Sequence, residues 1–138
     1  MEMPARRLRV YLVEDSAILL SRLREALDVL GVDIVGHADN AAIAIREIAE
    51  LAPDAIVVDI ALRRSNGFEV LKAFARDTAH HRPVAIVLSN YTSEPYRSAA
   101  RRLGVEYYFD KSNDVLAMLD VVAALARAAG MRNGSEHP

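Results

Sequence analysis

The sequence predicts an α/β fold in which a doubly wound, five-stranded parallel sheet is covered by helices on both faces. Two observations support this prediction. Short apolar runs rich in β-branched residues recur along the chain, and a stretch with helical spacing follows each of them. Right-handed crossovers then place the helices on both faces of the sheet. The runs that predict strands lie at residues 8–13, 32–35, 55–58, 84–88 and 105–109. We expect the strands ending near Val13, Val58 and Leu88 to be central.

The first and last helices have the clearest apolar spacing. Their apolar positions are Ile18, Leu19, Leu23, Leu27 and Leu30 in the first, and Val115, Leu116, Leu119, Val122 and Leu125 in the last. Either Ser16 or Asp15 can cap the first helix, and Gly31 is expected to end it. Asn40 can cap the second helix. The order of elements is therefore β-α five times.

Length and composition indicate one compact domain. A chain of 138 residues with 52% hydrophobic residues, 26% charged residues and a net charge of -2 indicates neither disorder nor a nucleic-acid-binding surface. The absence of cysteine excludes disulfides, thiolate metal sites and a cysteine nucleophile. No apolar run reaches the ~20 residues of a membrane span, so we expect a cytoplasmic protein without a membrane contact. We place the domain at residues 7–129 and a short polar C-terminal tail at residues 130–138.

Polar residues stand where the predicted strands end. In an open parallel sheet, ligands bind outside the carboxyl ends of the strands, so these residues should converge on one edge. They are Glu14 and Asp15 after the first strand, Asp59 after the third, Ser89 and Asn90 after the fourth, and Asp110 and Lys111 after the fifth.

This set predicts an acidic site for Mg²⁺ and a phosphoryl group. The carboxylates of Glu14, Asp15 and Asp59 would repel one another without a cation, and oxygen donors without His or Cys favour magnesium. Lys111 supplies a positive charge and Ser89 a hydroxyl donor for phosphoryl oxygens. We therefore expect Asp59 to be the nucleophile that forms an acyl phosphate.

The same residues resemble the pattern of response-regulator receiver domains. That pattern is an acidic pair after strand one, then Asp, Thr or Ser, and Lys after strands three, four and five. Asp15, Asp59, Ser89 and Lys111 follow one another at intervals of 44, 30 and 22 residues, which is similar to the single-domain chemotaxis regulator. The resemblance covers about residues 7–129 and implies a flavodoxin-like sandwich. Three further positions agree with the family pattern, namely Gly67, Gly104 and Tyr108.

The resemblance implies roles for individual residues. Mg²⁺ would be bound by Asp15, Asp59 and the backbone carbonyl of Ala61, with Glu14 acting largely through metal-bound water. Ser89 and Tyr108 would form the switch, because Tyr108 occupies the position of the family's switch aromatic.

The resemblance also implies partners. A histidine kinase or a histidine phosphotransfer protein would donate the phosphoryl group, and an unknown downstream protein would read the altered surface. The fourth helix, fifth strand and fifth helix would form that output surface, through which a homodimer can also form. Direct nucleic-acid binding is not expected. The only reactions catalysed would be the domain's own phosphorylation and dephosphorylation, and the chain would act alone or as the receiver fragment of a larger regulator.

Three positions depart from the common family pattern. Arg63 and Ser112 stand where prolines are usual, and Asn90 stands where a small residue is usual. None of them removes a group that the chemistry requires. We expect Arg63 and Asn90 to alter access to the site or the choice of partner.

Other functions fit the residues less well. Each acidic residue alone is more often a turn or cap residue, but the conjunction favours a functional site. A pseudo-receiver acting as a constitutive interaction surface would not need the intact set. A phosphatase of the haloacid dehalogenase type needs a carboxylate two residues beyond its nucleophile, where Ala61 stands. A nucleotide-binding fold would carry a glycine-rich turn after the first strand, where residues 14–17 contain no glycine.

Overall fold

A computed structural model describes residues 6–75 and 82–135. Its strands are β1 (Arg9–Val13), β2 (Asp33–Ala38), β3 (Ala55–Val58), β4 (Ala61–Leu62), β5 (Ser65–Asn66), β6 (Val84–Ser89) and β7 (Tyr107–Asp110). Its helices are α1 (Ala17–Val29), α2 (Ala41–Leu51), α3 (Gly67–Ala75), α4 (Glu94–Arg102) and α5 (Val115–Ser135). The main sheet is parallel throughout and has the strand order β2-β1-β3-β6-β7. The predicted fold class and the three predicted central strands are confirmed.

Alternation along the central strands divides the core into two layers. Val10 and Leu12 of β1 belong to a cluster completed by α1 and α5. Tyr11 and Val13 belong to the opposite cluster, which α2, α3 and α4 complete. Because successive strand residues point to opposite faces, each central strand is buried on both sides and needs apolar residues throughout. This arrangement leaves the carboxyl edge of the sheet as the place where polar side chains can gather.

The helix boundaries follow their capping residues. Ser16 Oγ accepts a hydrogen bond from the Leu19 N–H at 3.3 Å, and Asn40 Oδ1 accepts one from the Ile43 N–H at 3.0 Å. Ser16, not Asp15, is therefore the N-cap of α1. Gly31 follows the C-cap of α1 with a φ of +75°, a left-handed conformation that favours glycine.

Two features of the fold differ from the sequence prediction. The short antiparallel hairpin β4-β5 was not predicted, since strands of two residues leave no periodic signal. Helix α5 continues to Ser135, into the segment predicted to be a polar tail, and residues 136–138 lie outside the described part. Across the described residues, no helix combines the length and the apolar character needed to cross a bilayer.

Gly67 at the start of α3 lies against the main chain of Asp59. Its N–H donates to the carbonyl oxygen of Ile60 at 2.8 Å. A Cβ atom at Gly67 would lie 2.3 Å from the Asp59 carbonyl oxygen and 2.8 Å from Val58 Cγ1. Since real Cβ atoms do not come this close, the approach of α3 to Asp59 requires glycine.

We predict that Gly67→Ala lowers the free energy of unfolding by about 2 kcal/mol, because the new methyl group displaces backbone that cannot move freely. Gly130→Ala is the matched control, since nothing lies within 4 Å of a Cβ at this position in α5. That variant should gain up to about 1 kcal/mol from helix propensity. Urea denaturation measures both values, and equal stabilities of the two variants would contradict the close approach.

Candidate functional site

The predicted site residues meet at the carboxyl edge of the sheet. Glu14 and Asp15 follow β1, Asp59 follows β3, and one carboxylate oxygen from each lies within 4.8 Å of the others. Ser89 ends β6, and Lys111 directly follows β7. The convergence expected from the strand order is therefore present for the three carboxylates.

Lys111 bridges two of the carboxylates. Its Nζ atom lies 2.6 Å from Asp59 Oδ2 and 3.0 Å from Glu14 Oε1. The side chains of Asp59 and Glu14 are each 4% exposed, and that of Lys111 is 15% exposed. Such shielding from water makes each ion pair stronger than it would be at the surface, and it makes an unpaired charge there costly.

Main-chain hydrogen bonds fix the position of Asp59 and its neighbours. The Asp59 N–H donates to the carbonyl oxygen of Val13 at 2.9 Å, which joins β3 to the central strand β1. The Ala61 N–H donates to Asp59 Oδ1 at 3.2 Å, while Lys111 contacts the other carboxylate oxygen. The Lys111 N–H in turn donates to the carbonyl oxygen of Ser89 at 3.0 Å. The sheet therefore sets the position of each functional side chain.

Burial and pairing change the proton affinities of Glu14 and Lys111. Burial raises the pKa of Glu14, although hydrogen bonds from the Ser16 N–H and from Lys111 act in the opposite direction. Burial alone would lower the pKa of Lys111, but hydrogen bonds to Asp59 and Glu14 outweigh it and raise that pKa. Lys111 therefore carries its charge at neutral pH.

The donor set of this pocket fits a hard divalent cation. All the converging side-chain donors are carboxylate oxygens, which are the ligands that Mg²⁺ takes in proteins. The single ammonium of Lys111 cannot balance the carboxylates of Glu14, Asp15 and Asp59, so negative charge remains at the mouth of the pocket.

A path of hydrogen bonds joins Ser89 to Tyr108. The fully buried Ser89 accepts through Oγ from the Tyr91 N–H at 3.1 Å. The Tyr108 hydroxyl donates to the carbonyl oxygen of the same residue, Tyr91. The two predicted switch residues are therefore linked through one peptide segment of the loop between β6 and α4. Burial raises the pKa of Tyr108, against the nearby positive charge of Arg97.

Two of the three residues that depart from the common family pattern contact each other. Ser112 Oγ lies 3.3 Å from Asn90 Oδ1 and connects the loop after β7 to the loop after β6. Arg63, the third departure, is largely exposed and lies 4.0 Å from Asp39, beside a groove of about 400 Å³ next to the acidic cluster.

Sequence reasoning missed two groups of side chains near the site. Arg97 lies over the Tyr108 ring, with its Cζ atom 4.9 Å from the ring centre. Tyr96 packs against both Tyr91 and Phe68, at ring-centre distances of 5.1 and 6.4 Å. Tyr96 and Arg97 are adjacent on α4, whose composition is strongly polar, and no apolar spacing singled them out.

We predict that Lys111→Met lowers the free energy of unfolding by about 3 kcal/mol at pH 7.5 without metal, because it leaves buried carboxylates without their counter-charge. The loss should shrink as the pH falls. Without the ammonium, the folded-state pKa of Glu14 rises further above its ordinary value of 4.5, and such a group stabilises the fold as it becomes protonated.

Urea titrations at pH 7.5 and pH 5 would measure this effect. Lys72→Met is the matched control, because Lys72 is the other lysine of the sequence and is exposed on α3. Its effect should stay within about 0.5 kcal/mol at both pH values. A loss in Lys111→Met that is the same at both pH values would contradict the ion-pair explanation.

Comparison with known proteins gives independent evidence on the family of this chain. The sequence profile of the family described as response regulator receiver domain matches residues 10–123. A protein-glutamate methylesterase/protein-glutamine glutaminase of Myxococcus xanthus is 33% identical over 100 residues, which cover 72% of this chain and 29% of that protein. Chemotaxis protein CheY of Thermotoga maritima is 31% identical over 64 residues, covering 46% of this chain and 53% of that protein.

Solved structures show the same architecture. The response regulator domain of Thermotoga maritima CheB has a TM-score of 0.75 and 26% identity, covering 90% of this chain and 96% of that chain. The receiver domain of a LuxO repressor protein from Vibrio parahaemolyticus has a TM-score of 0.80, covering 96% of this chain and 100% of that chain. Its identity of 23% means that this likeness shows the fold alone. The match to the methylesterase covers less than a third of that protein's length. Because the family profile matches residues 10–123, which is most of the chain, the chain belongs to the response regulator receiver domain family of two-component signalling.

Proposed function

We propose that Asp59 is the phosphoacceptor of this receiver domain. The observation that carries the proposal is the contact of Asp59 Oδ2 with Lys111 Nζ at 2.6 Å inside a pocket that also holds Glu14 and Asp15. Asp59 is buried at the end of a central strand, and Lys111 keeps its carboxylate paired. A paired, ionised carboxylate is the form that can attack phosphorus.

The chemistry transfers one phosphoryl group from a phosphohistidine to Asp59. A carboxylate oxygen of Asp59 bonds to phosphorus, the phosphorus–nitrogen bond of the donor breaks, and its electron pair returns to the imidazole, which takes up a proton. Lys111 then exchanges its contact with Asp59 for one with a phosphoryl oxygen. The Ser89 hydroxyl, which already accepts from Tyr91, keeps its own proton to donate to a second phosphoryl oxygen.

Mg²⁺ fits this pocket, and Asp15, Asp59 and the carbonyl of Ala61 would hold it, with Glu14 acting through water. When bound, it neutralises charge on the phosphoryl group during transfer. The carboxylates that converge within 4.8 Å support this assignment. Glu14 already accepts from Lys111 and from the Ser16 N–H, which favours an indirect role.

The donor would be a histidine kinase or a histidine phosphotransfer protein, and an as yet unknown protein would read the result. We propose that α4, β7 and α5 form the output surface, either toward that protein or toward a second copy of the chain. The link from Ser89 through Tyr91 to Tyr108 supports this location, since Tyr108 lies on β7. The domain bounds of 7–129, the absence of other catalysis and the cytoplasmic location stay predictions.

We predict that wild-type protein incubated with acetyl phosphate and Mg²⁺ gains the mass of one phosphoryl group, whereas Asp59→Asn gains none. Asp39→Asn is the control, because Asp39 lies beside the groove next to the site but is more than half exposed. It should be phosphorylated like the wild type. Intact-protein mass spectrometry measures the product, and a stable acyl phosphate in Asp59→Asn would exclude Asp59 as the acceptor.

The side chains two residues after Asp59 and two after Ser89 should set the lifetime of the acyl phosphate. Ala61 cannot orient a water molecule, and the large Tyr91 can shield the phosphoryl group, so we predict slow self-dephosphorylation. The double change Ala61→Asn with Tyr91→Glu should shorten the lifetime at least about tenfold, within the range of general acid–base effects. Decay of the mass-shifted species gives the rate, and an unchanged rate in the double variant would assign control of the lifetime to other residues.

We predict that beryllofluoride with Mg²⁺, a phosphoryl mimic, shifts backbone NMR signals at Tyr108 and along α4 as well as in the Asp59 pocket. Ser89→Ala should weaken the distant shifts and leave Mg²⁺ binding intact, because only the hydroxyl link is lost. Ser93→Ala is the control, since Ser93 caps α4 without a side-chain hydrogen bond. Shifts confined to the pocket in the wild type would refute this route.

A further inference from the structure

Arg97 joins three separate elements of the fold. Its Nε donates to the carbonyl oxygen of Thr92 at 2.7 Å, in the loop between β6 and α4. One terminal nitrogen donates to the carbonyl oxygen of Tyr108 at 3.4 Å, on the edge strand β7. Arg97 itself lies in α4 and is half-buried. One guanidinium therefore connects the loop, the strand and the helix.

The same guanidinium lies over the face of the Tyr108 ring, with Cζ 4.9 Å from the ring centre. The hydroxyl end of that ring donates to the carbonyl oxygen of Tyr91. Tyr108 is thus held at two points, by a cation over its face and by an acceptor at its tip. Any rotation of the ring away from the loop must break both contacts.

The partners of Arg97 differ from those of its neighbour on α4. Arg101 pairs with Glu94, and its side chain is 59% exposed, as expected for a surface ion pair. Within the described residues, Arg97 has no carboxylate within ion-pair distance. The planar guanidinium of Arg97 instead contacts two backbone carbonyls and an aromatic face. The ammonium of a lysine could not make all three contacts at once.

We propose that Arg97 is a positioning residue that keeps the Tyr108 ring against the loop between β6 and α4 and transmits movements of that loop to α4. The proposal rests on the phosphorylation of Asp59 proposed above. A phosphoryl group that attracts the Ser89 hydroxyl displaces the Tyr91 segment, and the Tyr108 ring follows through its hydroxyl. The Arg97 side chain moves with the ring and with the Thr92 carbonyl. Because Arg97 is part of α4, this displacement moves the helix.

The test uses the full chain labelled with 3-fluorotyrosine and its ¹⁹F NMR spectrum, in which a Tyr108→Phe sample identifies the Tyr108 signal. The variants are Arg97→Met, which keeps an unbranched side chain without the charge, and Arg97→Lys, which keeps the charge without the planar guanidinium. Arg101→Met is the matched control on the next turn of the same helix. Spectra are recorded before and after adding beryllofluoride and Mg²⁺, whose own bound ¹⁹F signals report occupancy of the Asp59 pocket.

Before addition, the ratio of loop-bound to released Tyr108 should fall about threefold in Arg97→Met, the effect of losing one cation–π contact, and less in Arg97→Lys. After addition, both variants should bind beryllofluoride like the wild type. Backbone shifts along α4 should fall to less than half in Arg97→Met, be partly restored in Arg97→Lys, and stay unchanged in Arg101→Met.

The outcomes separate this inference from the proposed function. Failure of the wild type to bind beryllofluoride would overturn phosphorylation at Asp59 and, with it, the role of Arg97. Normal binding together with a Tyr108 signal and α4 shifts that are the same in Arg97→Met and wild type would overturn the role of Arg97 alone. An equal loss in Arg97→Met and Arg101→Met would also overturn it, since that result reports a general weakening of α4.

Discussion

The ion pairs of Lys111 with Asp59 and Glu14 are the interaction on which the site depends. Three carboxylates gather at the end of an apolar sheet, and because Glu14 and Asp59 are buried, the repulsion among them is strong. The ammonium of Lys111, 2.6 Å from Asp59 and 3.0 Å from Glu14, offsets part of this repulsion. The remaining negative charge suits the divalent cation proposed above, and Lys111 would be free to contact a phosphoryl oxygen if Asp59 forms the proposed acyl phosphate.

The parallel sheet explains why these residues meet although they lie far apart in sequence. Strands β1, β3 and β6 are neighbours in the centre of the sheet, and β7 follows at its edge. The carboxyl ends of these parallel strands lie along one edge of the sheet, so the residues at the strand ends gather there. The fold therefore supplies the geometry, and the choice of residue at four strand ends supplies the chemistry.

Much of this could be predicted from the sequence, because strand ends are set by where apolar runs stop. Val58 is followed by Asp59, and the break from β-branched residues to a carboxylate marks both the end of β3 and the start of the site. The fold class, the central strands, a cap of α1 at either Ser16 or Asp15 and the cap of α2 at Asn40 were predictable for the same local reasons.

The contacts that depend on loop paths were not predictable. Nothing in the sequence indicates that the Tyr108 hydroxyl reaches the Tyr91 carbonyl, or that Asn90 and Ser112 meet across two loops. Arg97 looks like a solvated helix residue until the positions of Thr92 and Tyr108 are known. Tertiary proximity, and not residue type, gives these side chains their roles.

The close approach of Gly67 to Asp59 makes the two sides of the site differ in how tightly they are packed. The Asp59 main chain is tied on one side to Val13 by its N–H and blocked on the other by α3, with no room even for a methyl group. If Asp59 is phosphorylated as proposed, its main chain has little room to move, whereas on the opposite side of the site Ser89, Tyr91 and Tyr108 are joined by single hydrogen bonds that can rearrange. Under that proposal, the tight packing of β3 against α3 would direct the conformational response toward α4, and a looser packing there would let the response stay near Asp59.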